Sequence, residues 1–229
     1  MYLWLYVVEA FVCITWRKDK TVAIEMGTYV TLKSKTKLGC DICDKCCVNR
    51  GDIKITPVNI IEISRYMQLS LHEFVEIYTE KIENQPMELV IRARGDRKRC
   101  IMNDGITSRC TIHPVRPMQC ATFPLVPVDL KKDLFYKQDT CDCLNQPETK
   151  VIDWLDGKKG IYVKYKKIYM EWVNFIEGIQ RVWDRIPAKY QEEIFNLVYY
   201  NYRCEDEDIE KCVMKNIKKA KRIVYKIRP

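Results

Sequence analysis

Four cysteines fall within eight residues, Cys40, Cys43, Cys46 and Cys47, in the run Cys-Asp-Ile-Cys-Asp-Lys-Cys-Cys. Thiols this crowded are poor packing elements. As thiolates they repel one another, and a bound cation or cluster both removes the repulsion and fixes the loop. The C-x2-C-x2-C ladder also wraps one stretch of backbone around a single centre. The run therefore predicts a metal-binding chain. In an extended segment adjacent side chains point to opposite faces. Cys46 is thus expected as a ligand beside Cys40 and Cys43, with Cys47 serving a second site or standing as a buried thiol.

The whole chain has 229 residues and 12 cysteines. An even count would suit disulfides in a secreted protein, but a chain this long can bury a core without staples. Vicinal cysteines and C-x2-C steps are also poor disulfide geometry. Residues 1–16 are mostly apolar, interrupted by Glu9. No Lys or Arg precedes them, no small-residue cleavage site follows, and the stretch is short for a membrane span. It reads as a strand or helix packed on the core, or as sequence ahead of a start at Met26. With no other long apolar run, no membrane span is expected, and the expected location is cytoplasmic.

The texture changes three times along the chain: an apolar segment over 1–26, a cysteine-cluster domain over 27–148, and a helical region over 149–229. Asp52–Ile55 reads as a short strand. Thr56 caps a helix that has Pro57 at its first position, with Ile60, Ile61, Ile63 and Met67 on its buried side. Ser70 and Glu73 make a capping box for a second helix carrying Phe74, Ile77, Tyr78 and Ile82. The two form an αα-hairpin. Glu88–Arg94 alternates as a strand. Lys98–Met102 and Ser108–His113 are expected to form a β-hairpin around Asn103-Asp104-Gly105, setting Cys100 and Cys110 side by side. Prolines 114, 117, 124 and 127 constrain the next segment, which carries Cys120, and Cys141 and Cys143 follow. Helices are predicted through Ile161–Ile179, from Pro187 onward, and from Glu205 to the basic end, with Ile209, Cys212, Val213, Ile217, Ala220 and Val224 as the last stripe. The predicted fold class is α+β: a small cysteine-rich, metal-organised domain with an αα-hairpin and a β-hairpin, followed by helices.

Net charge is +8. The basic run Lys215–Arg228 closes a helix that opens with acids, as the helix macrodipole favours, so it reads as a solvated helix end rather than a nucleic-acid site. No nucleic-acid partner is expected; a protein or redox partner is. Cys13, Cys204 and Cys212 are isolated and read as packed thiols. His72 reads as a surface or partly packed residue, and Trp172 and Tyr190 as core or interface aromatics.

The spacing of Cys40, Cys43, Cys46 and Cys47, then Cys100, Cys110 and Cys120, then Cys141 and Cys143, resembles the cysteine-cluster family described as zinc- or iron-chelating domains. That family carries C-x2-C-x2-C-C, a helical hairpin, a further cysteine, and C-x-I-Y-x-x-R-P-x-x-C-R-x-F-P. The last motif corresponds here to Cys110–Pro124, and the resemblance covers about residues 38–145. It implies that these nine cysteines include the metal ligands, with Cys141 or Cys143 as the late one. His113 stands where the family has Tyr, and Ala121 where it has Arg; Arg116 is kept. His113 lies three residues past Cys110, a ligand-like spacing, but a position where the family has Tyr is not expected to coordinate.

Zinc would take four thiolates tetrahedrally. An iron–sulfur cluster also takes four, and three stepped cysteines in one loop place it ahead of zinc. The reading is a metal-binding protein, with an iron–sulfur cluster or zinc, acting in fold organisation, redox transfer or assistance to another enzyme. The family pattern is shared with flagellin lysine N-methylases, so a metal-dependent methylase is one alternative, and a zinc-binding structural or adaptor protein another. No Gly-x-Gly loop or paired-carboxylate motif supports an enzyme from the residues themselves.

Overall fold

Thr56 and Ser70 each start a helix by the same device. In a computed structural model, which describes residues 28–39, 45–48, 51–138, 147–202 and 208–227, both sit in extended backbone and cap the turn that follows. The expectations for segment 1–26, for Cys13, Cys40, Cys43, Cys141, Cys143 and Cys204, and for the acids at 205–207 lie outside the described residues. Helix α1 (Pro57–Met67) opens with Pro57, whose missing N–H needs no partner there. Asn59 N–H donates to Thr56 Oγ1 at 3.3 Å, while Asn59 Oδ1 accepts from Thr56 N–H at 3.0 Å. Both residues are buried, so Thr56→Ala leaves donors that water cannot reach. We expect it to cost about 1–2 kcal/mol, measured as a lower urea midpoint. Helix α2 (Leu71–Tyr78) opens with the Ser70–Glu73 box, whose bonds hold the exposed Glu73 carboxyl below its ordinary range.

The chain divides into two units, Met1–Asp41 with Thr122–Gly160, and Ile42–Ala121 with Ile161–Pro229. In the first, β1 (Thr28–Thr31), β8 (Leu125–Asp129) and β9 (Leu134–Lys137) form an antiparallel sheet in the order β1-β9-β8. Val30 and Phe135 are a register pair and both are buried. Strands β2 (Lys35–Lys37) and β10 (Glu148–Lys150) pair separately. β10 runs directly into the short helix α4 (Val151–Trp154), whose Val151 N–H donates to Ser34 O.

The second unit holds all the described cysteines. Strands β3 (Lys54–Ile55), β4 (Thr79–Ile82) and β5 (Gln85–Ile91) form an antiparallel sheet in the order β3-β5-β4. The central strand buries Leu89, Val90 and Ile91 in succession, so both its faces are covered. Long helix α5 (Ile161–Gln180) packs on β5, and α7 (Ile209–Ile227) packs against α1, α5 and α6 (Ala188–Tyr199). One apolar core joins the residues around the cysteines to Trp172, Ile176, Ile194, Val198 and Ile217 of these helices. Tyr199 is fully buried and donates its hydroxyl to Met87 O at 2.6 Å, satisfying the one polar atom its ring brings inside. The α+β class and the αα-hairpin agree with the sequence reading, and among the described residues no helix is long and apolar enough to cross a membrane.

Two local expectations are corrected. Helix α2 stops at Tyr78, so Ile82 lies in β4 rather than on the helix. Thr79 turns extended and returns its hydroxyl to Val75 O at 2.8 Å, and Thr79–Ile82 then gains a ladder on β5. Lys98–Met102 and Ser108–His113 do not form a regular hairpin. β7 (Arg99–Cys100) pairs with β6 (Ala93–Arg94), leaving one bridge, Asn103 to Cys110, and the bond from Thr111 N–H to Met102 O. Asp104 draws the intervening loop onto itself. Its carboxylate accepts from Ile106 N–H at 3.0 Å and Thr107 hydroxyl at 2.7 Å.

Candidate metal centre

Cys46 and Cys47 lie in a 3-10 turn, Lys45–Cys47, not in extended backbone. Their sulfurs are 3.8 Å apart. The expectation that neighbouring side chains diverge therefore fails here: the backbone is not extended, and the two side chains converge at their sulfurs. The distance has a chemical meaning. Two thiolates bound at about 2.3 Å to one tetrahedral ion stand about 3.8 Å apart. The separation of the pair matches that of two thiolates on one ion.

Cys110 lies near enough to Cys46 for each to feel the other's charge. Burial raises the Cys110 thiol above its ordinary pKa, and Cys46 raises it further; a bond from Ile112 N–H and the Arg116 guanidinium act in the opposite sense. A metal bound by Cys110 must displace this extra-tight proton. We expect metal affinity to fall as pH is lowered, by about tenfold per unit for each proton displaced, in a competition titration with a chromogenic chelator. For the metal-free chain the sign reverses. A thiol with a raised folded pKa favours folding while protonated, and that contribution is lost as pH rises through its titration range.

Cys100 is buried in the core on β7, beside Ala93 in register. Asn103 ties it to Cys110. Asn103 N–H donates to Cys100 O at 3.0 Å, and Asn103 is the bridge partner of Cys110. The Asn103 side chain is itself buried, accepting from Arg99 Nη1 at 2.8 Å and donating to Ser108 O at 3.1 Å. Sequence reading took Asn103 for a turn residue; its place just after a cysteine-bearing strand was the only sign of this second role. Cys120 is half-buried in the short helix α3 (Met118–Thr122), which Gln119 fastens to β3 by accepting from Lys54 N–H at 3.2 Å. Arg116 Nη1 donates to His113 O at 2.8 Å and lies 3.3 Å from His113 Nδ1.

None of Cys46, Cys47, Cys100, Cys110 and Cys120 is disulfide-bonded. Among the described residues, no three Cys, His, Asp or Glu side chains gather closely enough to hold a metal. Cys40, Cys43, Cys141 and Cys143 lie outside those residues. Cys212, expected as a packed thiol, is instead disulfide-bonded. His72 is exposed and stacks on Tyr200 with ring centroids 3.9 Å apart.

Residues 39–144 match the model of the CxxCxxCC family, described as a putative zinc- or iron-chelating domain. No solved structure matches the chain. The description of the CxxCxxCC domain supports a bound metal, zinc or iron. The thiol pair at Cys46 and Cys47 belongs to the run that gives the domain its name.

Proposed function

We propose that this chain is a metal-binding protein whose thiolate centre organises the fold of its CxxCxxCC domain. In this reading Cys46 and Cys47 share one ion, whose remaining ligands come from the other cysteines of the domain. The 3.8 Å separation of the two sulfurs carries the proposal. It also bears on the kind of centre. A four-iron cluster on four cysteines takes one thiolate per iron, whereas a two-iron cluster takes two per iron and zinc takes four. A shared pair is therefore the chemistry of zinc or of a two-iron cluster. Bound metal replaces thiolate repulsion with coordination and fixes the cysteine turn.

Anaerobic purification, elemental analysis and an absorption spectrum separate the two. Stoichiometric zinc in a colourless protein indicates a structural centre. Iron with acid-labile sulfide and broad visible absorption indicates a cluster able to carry electrons. A four-iron signature would contradict the shared ion, and a chain without stoichiometric metal would overturn the whole reading.

A further inference from the structure

Residues 92–109 hold six cationic and two acidic side chains, a net charge of +4, half of the chain's +8. The segment is a built surface. β6 and β7 form a hairpin closed by a bond from Lys98 N–H to Gly95 O, with Gly95 at φ +66 where side chains are disfavoured. Arg92, Arg94, Arg97 and Lys98 are exposed on it. Arg94 reaches across to donate to Asn103 O. Arg99 holds Asn103 Oδ1, and Arg109 O accepts from Asp104 N–H, so the hairpin and the loop are one framework. From this framework Ile106 projects 95% exposed.

An isoleucine almost wholly in water, at the tip of a loop fixed by Asp104 and Asn103 and flanked by arginines, has the anatomy of an interface anchor with a charged rim. Because the loop is held by its own hydrogen bonds, binding need not order it. Residues 92–109 contain no aromatic side chain on which bases could stack, and no helix that could enter a groove. We propose that this face docks an acidic protein surface, with Ile106 entering an apolar depression on the partner. Its position between Cys100 and Cys110 sets that partner beside the candidate centre, but the inference stands without a metal.

The test uses the full chain and fluorescence anisotropy, with two labelled Glu-rich peptides that differ only in a central Leu or Ser. The Leu peptide is expected to bind about tenfold tighter, and both to weaken as salt is raised. Ile106→Ala should erase the difference between the peptides and keep the weaker affinity. Arg97→Glu with Lys98→Glu, both at an exposed turn, should abolish binding of both. Equal binding of the two peptides, no binding, or wild-type binding by the variants would overturn the proposal. Tighter binding of a single-stranded or duplex oligonucleotide, lost in the same double variant, would overturn it in favour of nucleic acid.

Discussion

Cys46→Ser and Cys47→Ser are each expected to leave the chain with less than half of its bound metal and without a cooperative thermal transition for the second unit. The magnitude follows from coupling. Structural thiolate sites contribute on the order of 10 kcal/mol to folding at neutral pH, as much as the entire stability of an ordinary domain. Serine is nearly isosteric but is a poor ligand for a soft site, so the loss is one of coordination rather than packing. Both positions are only partly buried, which keeps the packing cost small. Treating the wild-type chain with a strong chelator should reproduce the variants' melting curve. A variant that melts like the wild type and keeps its metal would remove that cysteine from the site.

Asn216→Leu is expected to destabilise the helical part of the second unit by about 2–4 kcal/mol. Asn216 sits on the buried face of α7. Its Nδ2 donates to Leu197 O at 2.9 Å, in the last turn of α6, and to Asn201 O at 2.8 Å, just beyond that helix. Leucine fills the volume but strands both acceptors. Equilibrium urea unfolding measures the effect. Asn216→Asp, which exchanges the donor for a charge facing two carbonyls, should be worse than leucine. If both variants unfold at the wild-type midpoint, the capping is inconsequential.

Much of this was legible in the sequence because local rules and global fold agree. Thr56, Pro57, Ser70 and Glu73 use capping chemistry complete within four residues, and the structure uses it as read. The stripe Ile209, Cys212, Val213, Ile217, Ala220 and Val224 lies on the core side of α7, with Ile209 at its half-buried start. What the sequence could not convey was partnership. The stretch after Tyr78 kept a helical spacing to Ile82, yet a strand on β5 offered ladder bonds that another half-turn of helix could not. Asn103-Asp104-Gly105 signalled a tight turn, but Asp104, Arg94 and Arg99 draw the loop into a closed knot that no turn rule encodes. The backbone at Cys46 and Cys47 departs from the extended chain that the spacing suggests. Period-two alternation holds for extended chain, and a 3-10 turn removes it.

X-ray absorption at the metal edge of the anaerobically purified chain bears most directly on the proposed centre. A first shell made only of sulfur at about 2.3 Å, in one ion or two per chain, is the predicted result. A shell of nitrogen or oxygen at about 2.0–2.2 Å, unchanged in Cys46→Ser, would contradict it.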